Sequence, residues 1–215
     1  MDLSEINFAV LVASLIVAST PLVLAALGEL IVEKAGVLNL GVEGMMIIGA
    51  VAGFIVGVET GSAYIGMIAA AVAGALLSLL FAFIILIMQA NQVASGLALT
   101  IFGLGIAALM GHPYTGIKSP QISTISIPIL SEIPILGTMF FQHDLIVYLS
   151  LISVLTIWYF LTRMRAGLIL RSVGEDHDVA HSLGYRVITI RFLAIVFGGA
   201  TVSYTHLTLP TIYSV

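Results

Sequence analysis

From Tyr64 to Met88 the chain reads YIGMIAAAVAGALLSLLFAFIILIM, 25 residues without a charged side chain. A helix needs roughly 20 consecutive apolar residues to cross the hydrocarbon core of a bilayer. The run is continuous and does not alternate as a strand of a membrane barrel would. Phe8 to Leu27 (20 residues), Val93 to Met110 (18) and Leu145 to Leu161 (17) are likewise free of charge. Four spanning helices are predicted from these runs. Two weaker segments, Val37–Val58 and a stretch from Ile188 toward Ala200, bring the expected fold to an all-α, polytopic membrane bundle of about six spanning or partly spanning helices.

The composition agrees. Of 215 residues, 60% are hydrophobic and only 8% charged, with 7 Lys+Arg against 11 Asp+Glu and a net charge of −4. A soluble domain is about a quarter charged. So few charges cannot cover a water-facing surface of this size, which excludes a soluble globular domain, a disordered chain and a nucleic-acid binder. Cysteine is absent, which excludes disulfides, thiolate metal sites and a cysteine nucleophile. Met1 to Glu5 carry no Lys or Arg, so a secretory signal is not expected there.

The Val37–Val58 segment has the length to span, but Asn39 and Glu43 lie in its first half, and only 15 residues separate Glu43 from Glu59. It is expected to cross only partly or with difficulty. If it crosses, alternate loops can be summed for Lys and Arg, which favour the cytoplasmic side. The loops at 32–38, 89–92 and 162–191 hold Lys34, Arg163, Arg165, Arg171, Arg186 and Arg191, whereas the other side holds only Lys118. This puts the 162–191 loop in the cytoplasm and the N-terminus outside. The 111–144 stretch contains Pro113, Pro120, Pro128 and Pro134 and is read as an external loop at the membrane interface, non-helical around Ile125–Leu130.

Several polar or small residues stand out against this background. Gly49, Gly53 and Gly57 repeat at a spacing of four, which lets neighbouring helices approach closely; relative helix sliding is the alternative use. A carboxylate in the bilayer is costly, so Glu43 must face protein or water, and Asn39, one turn away, is expected to share its face. Broken helices with Gly and polar residues are where transporters place substrate sites. A plain loop-to-helix junction at the cytoplasmic surface stays open for the same residues. Asn91 and Gln92, just before Ser95 and Gly96, form either a surface turn or a polar notch along a pathway.

In the cytoplasmic loop, Gly174 is read as a break, followed by Glu175, Asp176 and Asp178 in the first turn of a short helix. Val179, Ala180 and Leu183 would give it a small apolar face, and Gly184 would end it. Such a capped surface helix suits docking on a soluble partner. Other candidates are weak. The stretch Gly111–Ser119 lacks the lysine directly after Gly116 that a phosphate loop needs. His177 and His181 have no evident third metal ligand. Val93-Ala94-Ser95-Gly96 weakly resembles the serine motif of intramembrane proteases, with His112 or His143 as base, but lacks its leading glycine.

Three blocks together resemble the permease subunits of bacterial ATP-binding-cassette importers, in the branched-chain amino acid and ribose type superfamily and closest to its nucleoside and simple-sugar branch. They are Gly28-Glu29-Leu30 through Gly36-Val37-Leu38-Asn39-Leu40-Gly41-Val42-Glu43-Gly44-Met45-Met46, Asn91-Gln92-Val93-Ala94-Ser95-Gly96-Leu97-Ala98-Leu99, and Arg171-Ser172-Val173-Gly174-Glu175-Asp176 through Ser182-Leu183-Gly184.

The resemblance implies a multi-pass protein of the bacterial inner membrane, with no catalytic residues, metal or cofactor of its own and with ATP bound by partner subunits. It implies three partners: ATPase subunits, a second permease subunit (identical or sister) and an external substrate-binding protein. Asn39, Glu43, Asn91 and Gln92 would line the substrate pathway. Gly174, Glu175, Asp176, Ala180, Leu183 and Gly184 would form the ATPase-coupling loop. His177 stands where the pattern has a proline, and His181 where it has a small or polar residue. Residues 1–200 are read as an incomplete permease domain and 201–215 as an out-of-pattern, foreign tail, so a truncated permease is expected. An ATP-independent carrier or channel using Glu43 as its ion site is the alternative function.

Overall fold

The computed structural model describes residues 8–117, 124–126 and 142–203. The expectations for Lys118, Pro120, Pro128, Pro134 and the tail from 204 onward fall outside these residues.

The chain runs α1 (Phe8–Lys34), α2 (Val42–Thr60), α3 (Ala63–Ala82) continuing into a π-helical turn (Phe83–Ile87), and α4 (Gln92–Gly111). A short 3-10 turn (His112–Tyr114) follows, then two three-residue strands, β1 (Thr124–Ser126) and β2 (Gln142–Asp144), paired antiparallel with Ile125 opposite His143. The remainder is α5 (Leu145–Arg163), α6 (Arg165–Glu175), α7 (His177–Ser182) and α8 (Val187–Val202). Helices α1 to α5 are each long and apolar enough to cross a bilayer, and α8 is a shorter apolar helix. The fold is an all-α, multi-pass membrane bundle with one small strand ladder attached.

The weak second span needs correcting. Helix α2 extends over 19 residues, from Val42 through Glu59 to Thr60. Its length is about 28 Å, close to a hydrocarbon core of about 30 Å. Both glutamates are inside the helix, at its two ends, where water or protein is near. By length and composition the helix qualifies as a span, with the two glutamates in its terminal turns.

Glycines set the helix spacing. A methyl group on Gly66 of α3 would lie 2.6 Å from the Gly53 carbonyl oxygen and 3.1 Å from Gly57 Cα, so α2 and α3 touch backbone to backbone. Gly49 points elsewhere, against Ser203 at the end of α8, where an added methyl would lie 2.7 Å from the hydroxyl oxygen. The α2–α4 contact is as close, with a methyl on Gly103 falling 2.8 Å from Gly44 Cα. With lipid tails as apolar as leucine, such close approach supplies the contact energy that water exclusion gives a soluble core. Outside these seams much of the apolar surface is open: α4 buries only Gly96, Leu99, Gly103 and Ala107, a single stripe.

The connections sort to two ends. One gathers residues 35–41, 88–91 and 164–186. A core of Val32, Val37, Met45, Phe81, Leu99 and Ile195 joins α1, α2, α3, α4 and α8 near it. Every Lys and Arg of the described residues lies in or beside these segments. At the other end Tyr114 donates a hydrogen bond to Glu59, tying the far ends of α2 and α4.

Candidate functional site

Between α1 and α2 the chain does not turn around at the surface. Gly36 (φ +78°) redirects it, and residues 37–41 then descend beside α4. The Leu38 N–H donates to Gln92 Oε1 at 2.8 Å. The Asn39 N–H donates to Glu29 Oε1 at 3.3 Å. The Leu40 carbonyl accepts from the Thr100 hydroxyl at 3.1 Å. Gly41 lies against α4, where a methyl on Gly96 would be 2.9 Å from the Gly41 nitrogen. Gly96 and Thr100 are one and two turns beyond Gln92, about 6 and about 12 Å along the axis. Helix α2 therefore starts well below the rim of α4. Irregular backbone at such depth is tolerated only where protein or water satisfies it, and side chains of α1 and α4 supply those partners.

Asn39 and Glu43 do not share a face, contrary to the helical spacing argument, because Asn39 is outside the helix. Its side chain is buried, with Oδ1 accepting from the Gly41 N–H at 3.0 Å and Nδ2 3.7 Å from Met45 Sδ. Glu43 sits in the first turn of α2, where the helix dipole favours a carboxylate. It is exposed on the single chain and makes no hydrogen bond with the described residues. Asn91 caps α4, accepting from the Ala94 N–H at 3.1 Å. Among the four residues expected to line a pathway, Asn39, Asn91 and Gln92 thus use polar atoms to hold backbone, while the Glu43 carboxylate stays free. Sequence reasoning did not single out Glu29 or Thr100. Glu29 lies two residues past the charge-free Phe8–Leu27 run, still within α1.

The capped helix also differs from its sequence reading in two respects. Gly174 lies inside α6 and does not break it; the break falls at Asp176 (φ −147°), whose carboxylate accepts from the Asp178 and Val179 N–H groups, both at 3.0 Å. Gly174 is small for another reason: a methyl there would lie 2.9 Å from the Gly36 nitrogen. Helix α6 was read as loop, although Gly167, Leu170 and Val173 recur at a spacing of three and are buried. In α7 the expected apolar face is split. Ala180 is buried, whereas Val179 and Leu183 are 54% and 68% exposed. Gly184 (φ +87°) ends the helix as expected, its N–H donating to His181 at 2.9 Å. His177 and His181 are exposed, and the nearest carboxylate to His177 is its neighbour Asp178 at 3.5 Å.

Ser95 is in the first turn of α4 and His112 just past its last, about 25 Å apart along the axis; His143, in β2 at the start of α5, is also at the far end. Among the described residues, Ser95 therefore pairs with neither His112 nor His143.

Residues 11–201 match the family described as the branched-chain amino acid transport system permease component. The chain belongs to this family. Among curated relatives, a putative glucose ABC transporter permease of Haloferax volcanii is 39% identical over 89% of this chain. The guanosine ABC transporter permease of Bacillus subtilis is 34% identical over 93% of it, and the nucleoside ABC transporter permease of Lactococcus lactis 32% identical over 88%. The chain spans 60%, 66% and 63% of those three proteins. No solved structure matches. The resemblance carried by the three sequence blocks is thus matched by relatives from the same nucleoside and sugar branch.

Proposed function

We propose that this permease-family chain forms part of the substrate pathway of an ATP-binding-cassette importer for nucleosides or simple sugars. Separate ATPase subunits bind the nucleotide, a second permease subunit completes the pathway, and an external protein delivers the substrate. The N-terminus is outside and the end carrying the basic residues is cytoplasmic. The observation that carries this reading is the pairing, at one end of the bundle, of a self-capped helix with two outward apolar side chains and a backbone segment sunk beside α4. The first is a shape for docking on a soluble subunit. The second leads into the Glu43 carboxylate, which is exposed on the single chain and free to meet substrate hydroxyls or water. The names of the relatives support nucleosides and glucose as the substrate class.

The test is deletion, or reversal in order, of residues 175–183 in the full-length importer. Membrane insertion is expected to persist and substrate-stimulated ATPase activity to vanish. Unchanged stimulation refutes the docking role of α7.

A further inference from the structure

The docking helix and the sunken segment are linked through the end of α6, where Gly174 lies against Gly36. The connection runs through Arg191, in the first turns of α8. Its Nε donates to the Ala35 carbonyl at 3.0 Å, and its Nη2 lies 3.5 Å from the Val173 carbonyl. Ala35 directly follows the end of α1, and Val173 lies in the last turn of α6. Both carbonyls belong to helix C-termini, which carry partial negative charge and repel each other. A planar guanidinium with several donors can hold both at once, which the point charge of a lysine cannot do with the same geometry. The same Nη2 stands 3.0 Å from where a side chain on Gly36 would begin, and Gly174 Cα is also 3.0 Å from that point. Gly36 and Gly174 therefore meet with no side chain between them, and the guanidinium closes the contact.

The order in space is α7, the Asp176 break, Gly174, Gly36, the suspended residues 38–41, and Glu43. Among the described residues, no other Lys or Arg donates a hydrogen bond to another segment.

We propose that Arg191 is a positioning residue, the joint through which displacement of the docking helix α7 moves the Gly36–Gly41 segment and with it Glu43. This rests on the importer reading and adds to it a named route for the coupling. A rigid joint makes the ATPase side and the pathway side two biases on one element, which is the condition for coupling between distant sites.

The experiment uses the full-length importer with its ATPase subunits and binding protein, comparing wild type with Arg191→Lys and Arg191→Leu. A Leu40→Cys background reports the segment's accessibility to a thiol reagent, with and without ATP. Both variants are expected to co-purify with the ATPase subunits and keep basal ATP turnover. Stimulation by loaded binding protein should fall about tenfold, within the usual range of coupling factors. The ATP-dependent change in thiol labelling at position 40 should disappear. A merely structural role would shift thermal stability without separating basal from stimulated turnover. Arg191→Lys keeps the charge, so the question stays decidable if Arg191→Leu does not fold. Wild-type stimulation and labelling in Arg191→Lys would overturn the joint alone, as would loss of co-purification in that variant. A wild-type complex that shows no stimulation would overturn the importer reading, and the joint with it.

Discussion

The Gly36–Gly41 segment and the 176–184 segment are both interruptions between helices at the same end of the molecule, and both carry a glycine in the left-handed region. They are built on opposite principles. The second closes its own hydrogen bonds: Asp176 caps the start of α7, and the Gly184 and Tyr185 N–H groups return to the carbonyls of His181 and Ala180. The first satisfies only one N–H from within, through Asn39 to Gly41, and borrows Glu29, Gln92 and Thr100 from two other helices. A segment in water can be locally self-sufficient or leave groups to the solvent. A segment packed between helices is finished by its neighbours, whose side chains take up the backbone groups that it cannot pair itself. The short surface helix is held together by its own hydrogen bonds, whereas the sunken segment is held by side chains of α1 and α4.

Four substitutions would break or sharpen this contrast. The largest effect belongs to the seam that holds the sunken segment in place. Gly103→Leu inserts a side chain where even a methyl meets Gly44, and thermal unfolding in detergent should reveal a loss of about 3 kcal/mol or a failure to fold. Glu29→Ala removes the partner of the Asn39 N–H in a part-buried site. It should cost about 2 kcal/mol and raise the labelling rate of a cysteine at position 40; an unaltered labelling rate would show that the segment holds itself.

Asp176→Ala should cost about 1 kcal/mol of local helix stability. Because that segment is self-contained, hydrogen exchange should accelerate over residues 177–182 and not over 37–41. Protection lost in both would mean the two interruptions are one cooperative unit. The smallest change is expected from Thr100→Val, which removes a single intramembrane hydrogen bond to Leu40 and should cost about 0.6 kcal/mol. A cost as large as that of Glu29→Ala would show that α4 holds the segment as firmly as α1 does.

Much of this was legible in the chain itself. The apolar runs located α1, α3, α4 and α5 to within a few residues at most boundaries, because the requirement to span lipid leaves helices as the only solution for such runs. The Asp176 to Gly184 interval was legible as a capped helix for a similar reason: its signals are local in sequence. The misplacements have a common origin. Gly174 does not break its helix; the reason for a glycine there is the backbone of Gly36, which is far away in sequence. Asn39 and Glu43 were put on one face because spacing alone assumes an unbroken helix. Glu29 and Thr100 were passed over because nothing in their surroundings says that they hold another segment's backbone.

By itself, the order of residues determined four of the five long helices, the gathering of basic residues on alternate loops, and the self-closing cap at 176–184. All of these follow from solvent partitioning and from hydrogen bonds within a few residues. Only the tertiary structure decided that α2 begins beneath the rim of α4, that Asn39 turns inward while Glu43 stays open, and that Arg191 ties α1 to α6. Each of those is a pairing between groups remote along the chain, and such pairings exist only once the helices have packed.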